Sequence, residues 1–121
     1  MLDLNSLLLS SEDPDKLSSF YAEVLQEGPS WQEGGYTGFK AGSCYLMIGP
    51  HSKVHGSSQN PERLLFNFET ADVATEFDRL KSIEGASVVQ EPYAPGESPD
   101  MTLATLADPD GNFFQLASPM P

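Results

Sequence analysis

Basic residues are scarce in this sequence: six lysines and arginines stand against 18 acids, for a net charge of −12 at pH 7. Such a surface repels phosphates, which argues against a nucleic-acid partner; it suits a cationic ligand, or acids that serve only solubility. Cysteine is nearly absent. With Cys44 alone, neither an internal disulfide nor a multi-cysteine zinc site can form. Ser43 and Tyr45 beside it give no electropositive surrounding, so Cys44 reads as a small core side chain. No apolar run approaches the roughly 20 residues that a membrane-crossing helix needs, so no membrane role is expected. Residues 1–4 lack the basic stretch and apolar core of an export signal, and a cytoplasmic setting is expected.

What is present is enough for one compact domain: 121 residues, 39% hydrophobic and 10% aromatic. Leu4 to Leu9 is a short apolar run that suits a buried strand. Asp13-Pro14 then opens a helix, the carboxylate capping first-turn amides and the proline sitting where its missing N–H costs nothing. Leu17, Phe20, Tyr21, Val24 and Leu25 give that helix an apolar side, and Gly28-Pro29 ends it. Ser30 to Gly49 reads as three antiparallel strands broken at Gly34-Gly35 and Ala41-Gly42. After a polar linker, residues 51–61, the order returns: a strand over Leu64–Phe68, a helix over Asp72–Ile83, and strands at Ser87–Val89, Met101–Leu106 and Phe113–Ala117. The last two are joined by the turn Asp108-Pro109-Asp110-Gly111-Asn112.

The chain therefore repeats a βαβββ unit, module 1 covering about 1–50 and module 2 about 62–121. Setting Asp13 on Asp72 pairs Leu7 with Phe66 and Leu9 with Phe68. Setting Gly42 on Gly111 pairs Tyr45 with Phe114 and Met47 with Leu116. The two registers differ, and the extra residues of the second copy fall most naturally in Glu91–Asp100, a loop rich in proline.

The doubled order, the words Asp13-Pro14-Asp15-Lys16-Leu17-Ser18-Ser19-Phe20-Tyr21 and Val24-Leu25, and the Asp108 to Asn112 turn resemble the vicinal oxygen chelate superfamily. Glyoxalase I, extradiol dioxygenases and bleomycin-resistance proteins belong to it. The resemblance spans nearly the whole chain and implies an α+β fold, two curled mixed sheets around a cavity with the helices outside.

Metal-using members of that superfamily carry His and Glu ligands on the first and last strands of each copy. Counting seven back from Asp13 and Asp72, and four on from Gly42 and Gly111, puts those positions at Ser6, Leu65, Leu46 and Gln115. None is a strong donor for a divalent ion, so no metal, cofactor or catalytic residue is expected there. His51 and His55 are four apart, a spacing that binds zinc on a helix, but Gly49-Pro50 and Gly56 flank them and they read as linker residues. Asp108 and Asp110 read as turn-forming rather than as a catalytic pair.

Strand alternation then gives the cavity lining. Leu8, Leu46, Ile48, Leu65 and Phe113 would be apolar walls, and Ser6, Arg63, Asn67 and Gln115 polar handles, with Cys44 and Ala117 also inward and Tyr45, Met47, Phe114 and Leu116 in the core. Trp31 is placed equally well against a ligand or within the core. Apolar walls with few polar handles suit a small molecule, and the metal-free, bleomycin-resistance-like relatives imply sequestration of an antibiotic or metabolite by a homodimer. The alternatives are a lyase, isomerase or dioxygenase whose metal is held by His51 or His55 with Glu33, and a degenerate copy that only dimerises with another protein.

Overall fold

In a computed structural model, which describes residues 1–97 and 99–119, the chain divides into two compact units, Met1–Gly56 and Ser57–Pro121. Each has the expected βαβββ order. The first runs β1 (Ser6–Ser10), α1 (Pro14–Leu25), β2 (Trp31–Glu33), β3 (Tyr36–Ala41) and β4 (Cys44–Gly49). The second opens on a 3-10 turn, Pro61–Arg63, and runs β5 (Phe66–Glu69), α2 (Val73–Leu80), β6 (Ser87–Tyr93), β7 (Leu103–Ala107) and β8 (Phe113–Ala117). The strand orders are β1-β4-β3-β2 and β5-β8-β7-β6. In both, the first strand lies parallel to the last and the hairpins are antiparallel, so the α+β, mixed-sheet expectation holds. Among the described residues no helix is long and apolar enough to cross a membrane.

Both helices start as their sequences dictate. Asp13 accepts a hydrogen bond from the Lys16 amide at 3.3 Å and Pro14 fills the first turn. The helix ends at Gln26, which takes the left-handed conformation with φ 55° and donates its N–H to Ala22 O, two residues before the expected Gly28. Leu17, Phe20, Tyr21 and Val24 are buried against β3 and β4. In α2, Val73, Phe77 and Leu80 are buried and the helix packs on β6, β7 and β8. It ends at Leu80 rather than Ile83 because the chain tightens there: Ser82 donates to Arg79 O and Ile83 to Leu80 O, each three residues back.

Asp72 caps α2 through Thr75, accepting from its amide at 3.1 Å and from its hydroxyl at 2.8 Å. The hydroxyl bond first, and the amide bond second, hold its carboxyl below the ordinary value of 3.8. A lowered folded pKa means that the cap's contribution is fully present above the unfolded value and is lost as pH falls through the folded one. Asp72→Asn, which keeps a capping oxygen but cannot titrate, should therefore show a shallower fall of urea midpoint between pH 5 and pH 3 than the parent chain. Equal slopes would remove Asp72 from the acid response.

Four strands differ from expectation at their boundaries, the first being β1, which spans Ser6–Ser10 rather than Leu4–Leu9. Arg63 N bonds Asn60 O at 3.1 Å, so Arg63 sits in the 3-10 turn and β5 begins only at Phe66. Strand β6 continues through Tyr93, with register irregularities between Val88 and Gln90 and between Gln90 and Tyr93, and so takes up the start of the predicted insertion. Ser98, within that insertion, lies outside the described residues. Strand β7 starts at Leu103 rather than Met101.

Candidate functional site

Cα partners on neighbouring strands share a face of the sheet, so the registers assign every side chain. In the first unit Leu7 pairs with Leu46 and Leu9 with Ile48, and across β3 Leu46 pairs with Phe39 and Ile48 with Thr37. These six lie on the helix-facing side, together with Ala41 and Gln32. Leu46 and Ile48 are buried in the core with Leu9 and Phe39, so they do not line the opposite face as expected, and Cys44, two residues before Leu46, shares their side. Tyr45 and Met47, expected in the core, lie instead on the helix-free face with Ser6, Leu8 and Ser10. The parallel pairs fix the equivalence between the units. Leu8 meets Met47 where Asn67 meets Gln115, so Met47, not Leu46, is the counterpart of Gln115.

One row on that face is apolar across all four strands: Leu8, Met47, Gly38 and Trp31 are successive Cα partners. Gly38 has no side chain because the indole occupies its place; a Cβ there would collide with Trp31 Cε2 and Nε1. In the next row the Tyr36 ring covers Gly49 in the same way, its hydroxyl donating to Pro50 O at 3.2 Å. On the other side Lys40 lies 5.7 Å from the Tyr45 ring centroid. Leu8 at 47%, Trp31 at 39% and Tyr45 at 38% relative exposure make this an exposed apolar surface of the kind that marks ligand or partner sites. Trp31 therefore lies across a strand on the helix-free face, not in the core beneath the helix. The sequence signal that could have found this is Gly38 itself, since a glycine inside a strand often marks a close approach.

In the second unit the expected faces hold for the residues within β5 and β8. Phe66, Phe68, Phe114 and Leu116 share the helix side, where the Phe66 ring stacks on Phe114 at 6.1 Å and Phe68 meets Phe114 edge-on at 5.8 Å. Asn67, Phe113 and Gln115 occupy the helix-free side. Leu65 precedes β5 and is exposed, and Arg63, in the 3-10 turn, is not on a strand face at all. Sequence reasoning missed Thr105 and Gln90, which join Asn67 and Gln115 in one row. The Gln115 amide donates to Thr105 Oγ1 at 3.1 Å.

With the register corrected, the positions to which the resemblance assigns metal ligands are Ser6, Met47, Leu65 and Gln115. A hydroxyl, a thioether, a hydrocarbon and a neutral amide do not fit a divalent ion that prefers imidazole and carboxylate. Among the described residues no group of three or more His, Cys, Asp and Glu is placed to hold one. His51 Nδ1 accepts from the Lys53 amide at 3.1 Å. His55 Nδ1 lies 3.7 Å from Glu12, which also accepts from the Gly56 amide at 3.1 Å. The carboxylate beside a histidine is thus Glu12 rather than Glu33, and these contacts tie the end of the first unit to the turn before α1.

Two units of this strand order and pairing define the vicinal oxygen chelate class. Residues 6–117 match the family model of the glyoxalase-like domain, and the chain belongs to that family. Among solved structures, a glyoxalase/bleomycin resistance protein/dioxygenase family enzyme from Burkholderia phytofirmans is 20% identical over 98% of this chain and 100% of its own, with a TM-score of 0.78. A glyoxalase-related enzyme from Fulvimarina pelagi is 16% identical over 98% of this chain and 89% of its own, at 0.78. A lactoylglutathione lyase from Agrobacterium tumefaciens is 18% identical over 96% of this chain and 92% of its own, at 0.71. At these identities the likeness is one of fold. No curated protein matches the sequence.

Proposed function

We propose that this protein binds and sequesters a small planar organic molecule, favouring cations, without the help of a metal. The observation that carries the reading is the apolar row ending in Trp31, whose indole lies over Gly38 beside Met47 and Leu8. An indole held against a strand loses little freedom when a second ring stacks on it, so stacking adds affinity at small entropic cost. The net charge of −12 draws cations from a distance, which raises association rate more than affinity and weakens with salt. The donor set at the metal positions points the same way. A structural relative is named a glyoxalase/bleomycin resistance protein/dioxygenase family enzyme, and that name suggests the first probe. The reading includes a cytoplasmic homodimer, whose mass light scattering in solution would check.

Trp31 is the sole tryptophan, so its fluorescence reports on this surface directly. Titration of EDTA-dialysed protein with bleomycin and with planar aromatic cations such as ethidium should quench it saturably, and 0.5 M salt should slow association. Trp31→Ala, which removes the fluorophore and is therefore titrated by calorimetry beside the parent chain, should weaken binding about tenfold to a hundredfold, a stacking contact being worth roughly 1–3 kcal/mol where an aromatic side chain carries a planar ring. Loss of binding on dialysis, restored by zinc, nickel, iron or manganese, would overturn the reading in favour of a metal-dependent lyase or dioxygenase. Absence of quenching by every probe would overturn it as well.

A further inference from the structure

The helix-free face of the second unit is built differently from that of the first. Its rows can be read across the strands from the registers. Asn67, Gln115, Thr105 and Gln90 form the middle row. Phe113 and Ala107 lie on one side of it, and Ala117, Leu103 and Tyr93 on the other. Strands lie about 4.8 Å apart, so four hydrogen-bonding side chains form a polar stripe between two mainly apolar rows, whose polar members, Ser87 and Glu69, stand at their ends on β6 and β5.

Two features make the stripe selective. It is fixed at its centre: Thr105 is buried at 6% exposure, and the Gln115 amide donates to its hydroxyl at 3.1 Å. One end of the Gln115 amide is thereby tied down and the other presented outward. Turned over, the amide would accept from the same hydroxyl and present its NH2 instead, so the pair can meet either an acceptor or a donor. The stripe is also uncharged. Glu69, the Cα partner of Ala117, is the one charged side chain in the three rows. Of the unit's bases, Arg79 and Lys81 are on and just after α2, within 2.7 Å and 3.1 Å of Glu76 and Asp78, and Arg63 is in the 3-10 turn. A carboxylate laid on the stripe would lose water and gain no cation, which is costly. A neutral amide exchanges hydrogen bonds with water for hydrogen bonds with Gln115 and Asn67 and needs no counter-charge.

We infer that this face recognises an uncharged amide-type group, a carboxamide, lactam or imide, through the row Asn67, Gln115, Thr105 and Gln90, with apolar parts of the ligand on the flanking rows. The inference rests on the metal-free binding reading above and deepens it: Gln115, at a position to which the resemblance assigns a metal ligand, reads an amide.

The test uses three near-isosteric probes, benzamide, benzoate and benzamidine, and the side-chain NH2 resonances of Asn67, Gln90 and Gln115 in 15N-labelled protein. Benzamide should shift the Asn67 and Gln115 signals saturably and benzoate should leave them in place. Gln115→Leu, with an otherwise unchanged amide spectrum, should weaken benzamide about tenfold, as expected for one or two hydrogen bonds. Gln115→Glu should reverse the order so that benzamidine binds more tightly than benzamide. Equal shifts from benzoate and benzamide, or undiminished benzamide binding by Gln115→Leu, would overturn the inference. If bleomycin or ethidium still quenches Trp31 while benzamide leaves the Gln115 signals unmoved, the amide assignment falls and metal-free binding stands. If no probe binds either face, both fall.

Discussion

Leu46→Glu should unfold the first unit at neutral pH, whereas Met47→Glu should leave it folded. The two residues are neighbours on β4 and differ only in the face they present. Leu46 is 4% exposed, has Leu7 and Phe39 as its Cα partners, and lies on the side that packs against Leu17, Phe20 and Tyr21 of α1. The sheet residues on that side are apolar apart from Thr37 and, on the edge strand, its partner Gln32, with the weakly polar thiol of Cys44, and none carries a positive charge. An ionised carboxylate there costs several kcal/mol and loses the apolar contact of leucine as well, a large part of the roughly 5–15 kcal/mol that holds a domain of this size. Met47 is half-buried between Leu8 and Gly38 on the opposite face, where a glutamate can reach water at a cost of about 1 kcal/mol. Circular dichroism and urea titration of the two variants decide it; the reverse order of damage would mean that the strand is inverted.

That pair of variants also marks where the sequence was hard to read. In the second unit, Phe66-Asn67-Phe68-Glu69 and Phe114-Gln115-Leu116 contain polar residues that set the phase of alternation, and the expected faces are the observed ones. The first unit offers no such marker, because Cys44-Tyr45-Leu46-Met47-Ile48 is apolar throughout. Its phase had to come from aligning turn glycines, and the turns differ in length. Gly42-Ser43 is a two-residue connection between the partners Ala41 and Cys44, while five residues separate Ala107 from Phe113. Gly42 and Gly111 both adopt positive φ, 63° and 80°, yet they stand at different places in their loops. An error of one residue follows, and in a strand one residue exchanges the two faces. Helix starts were legible because caps are local chemistry, as at Asp13 and Asp72. The row of Asn67, Gln115, Thr105 and Gln90 was not, because it is assembled from four strands, one of them carrying register irregularities that no local pattern announces.

The five-residue turn is itself the subject of the other large effect. Asp108→Ala should lower stability by about 2–4 kcal/mol, well above the usual surface substitution. Asp108 is 3% exposed, and its Oδ1 accepts from the Asp110 amide at 2.9 Å and the Asn112 amide at 3.0 Å. The Asn112 side-chain amide adds bonds to Oδ1 at 3.3 Å and to Oδ2 at 3.0 Å. Alanine would leave two backbone donors without their acceptor inside a loop whose ends are joined by the Asp108 amide and Asn112 O at 2.9 Å. Asp108→Asn keeps one acceptor oxygen and should fall between the two. Asp110 provides the contrast, because its Oδ2 accepts no hydrogen bond among the described residues; Asp110→Asn breaks no bond at that atom and should change stability by less than about 1 kcal/mol. Strand β8 begins at Phe113, directly after this loop, so the turn also sets the phase that brings Gln115 to Thr105. The destabilised Asp108→Ala chain should accordingly broaden the Gln115 side-chain NH2 signal before the sheet melts, and a urea midpoint equal to the parent's would refute the role given to Asp108.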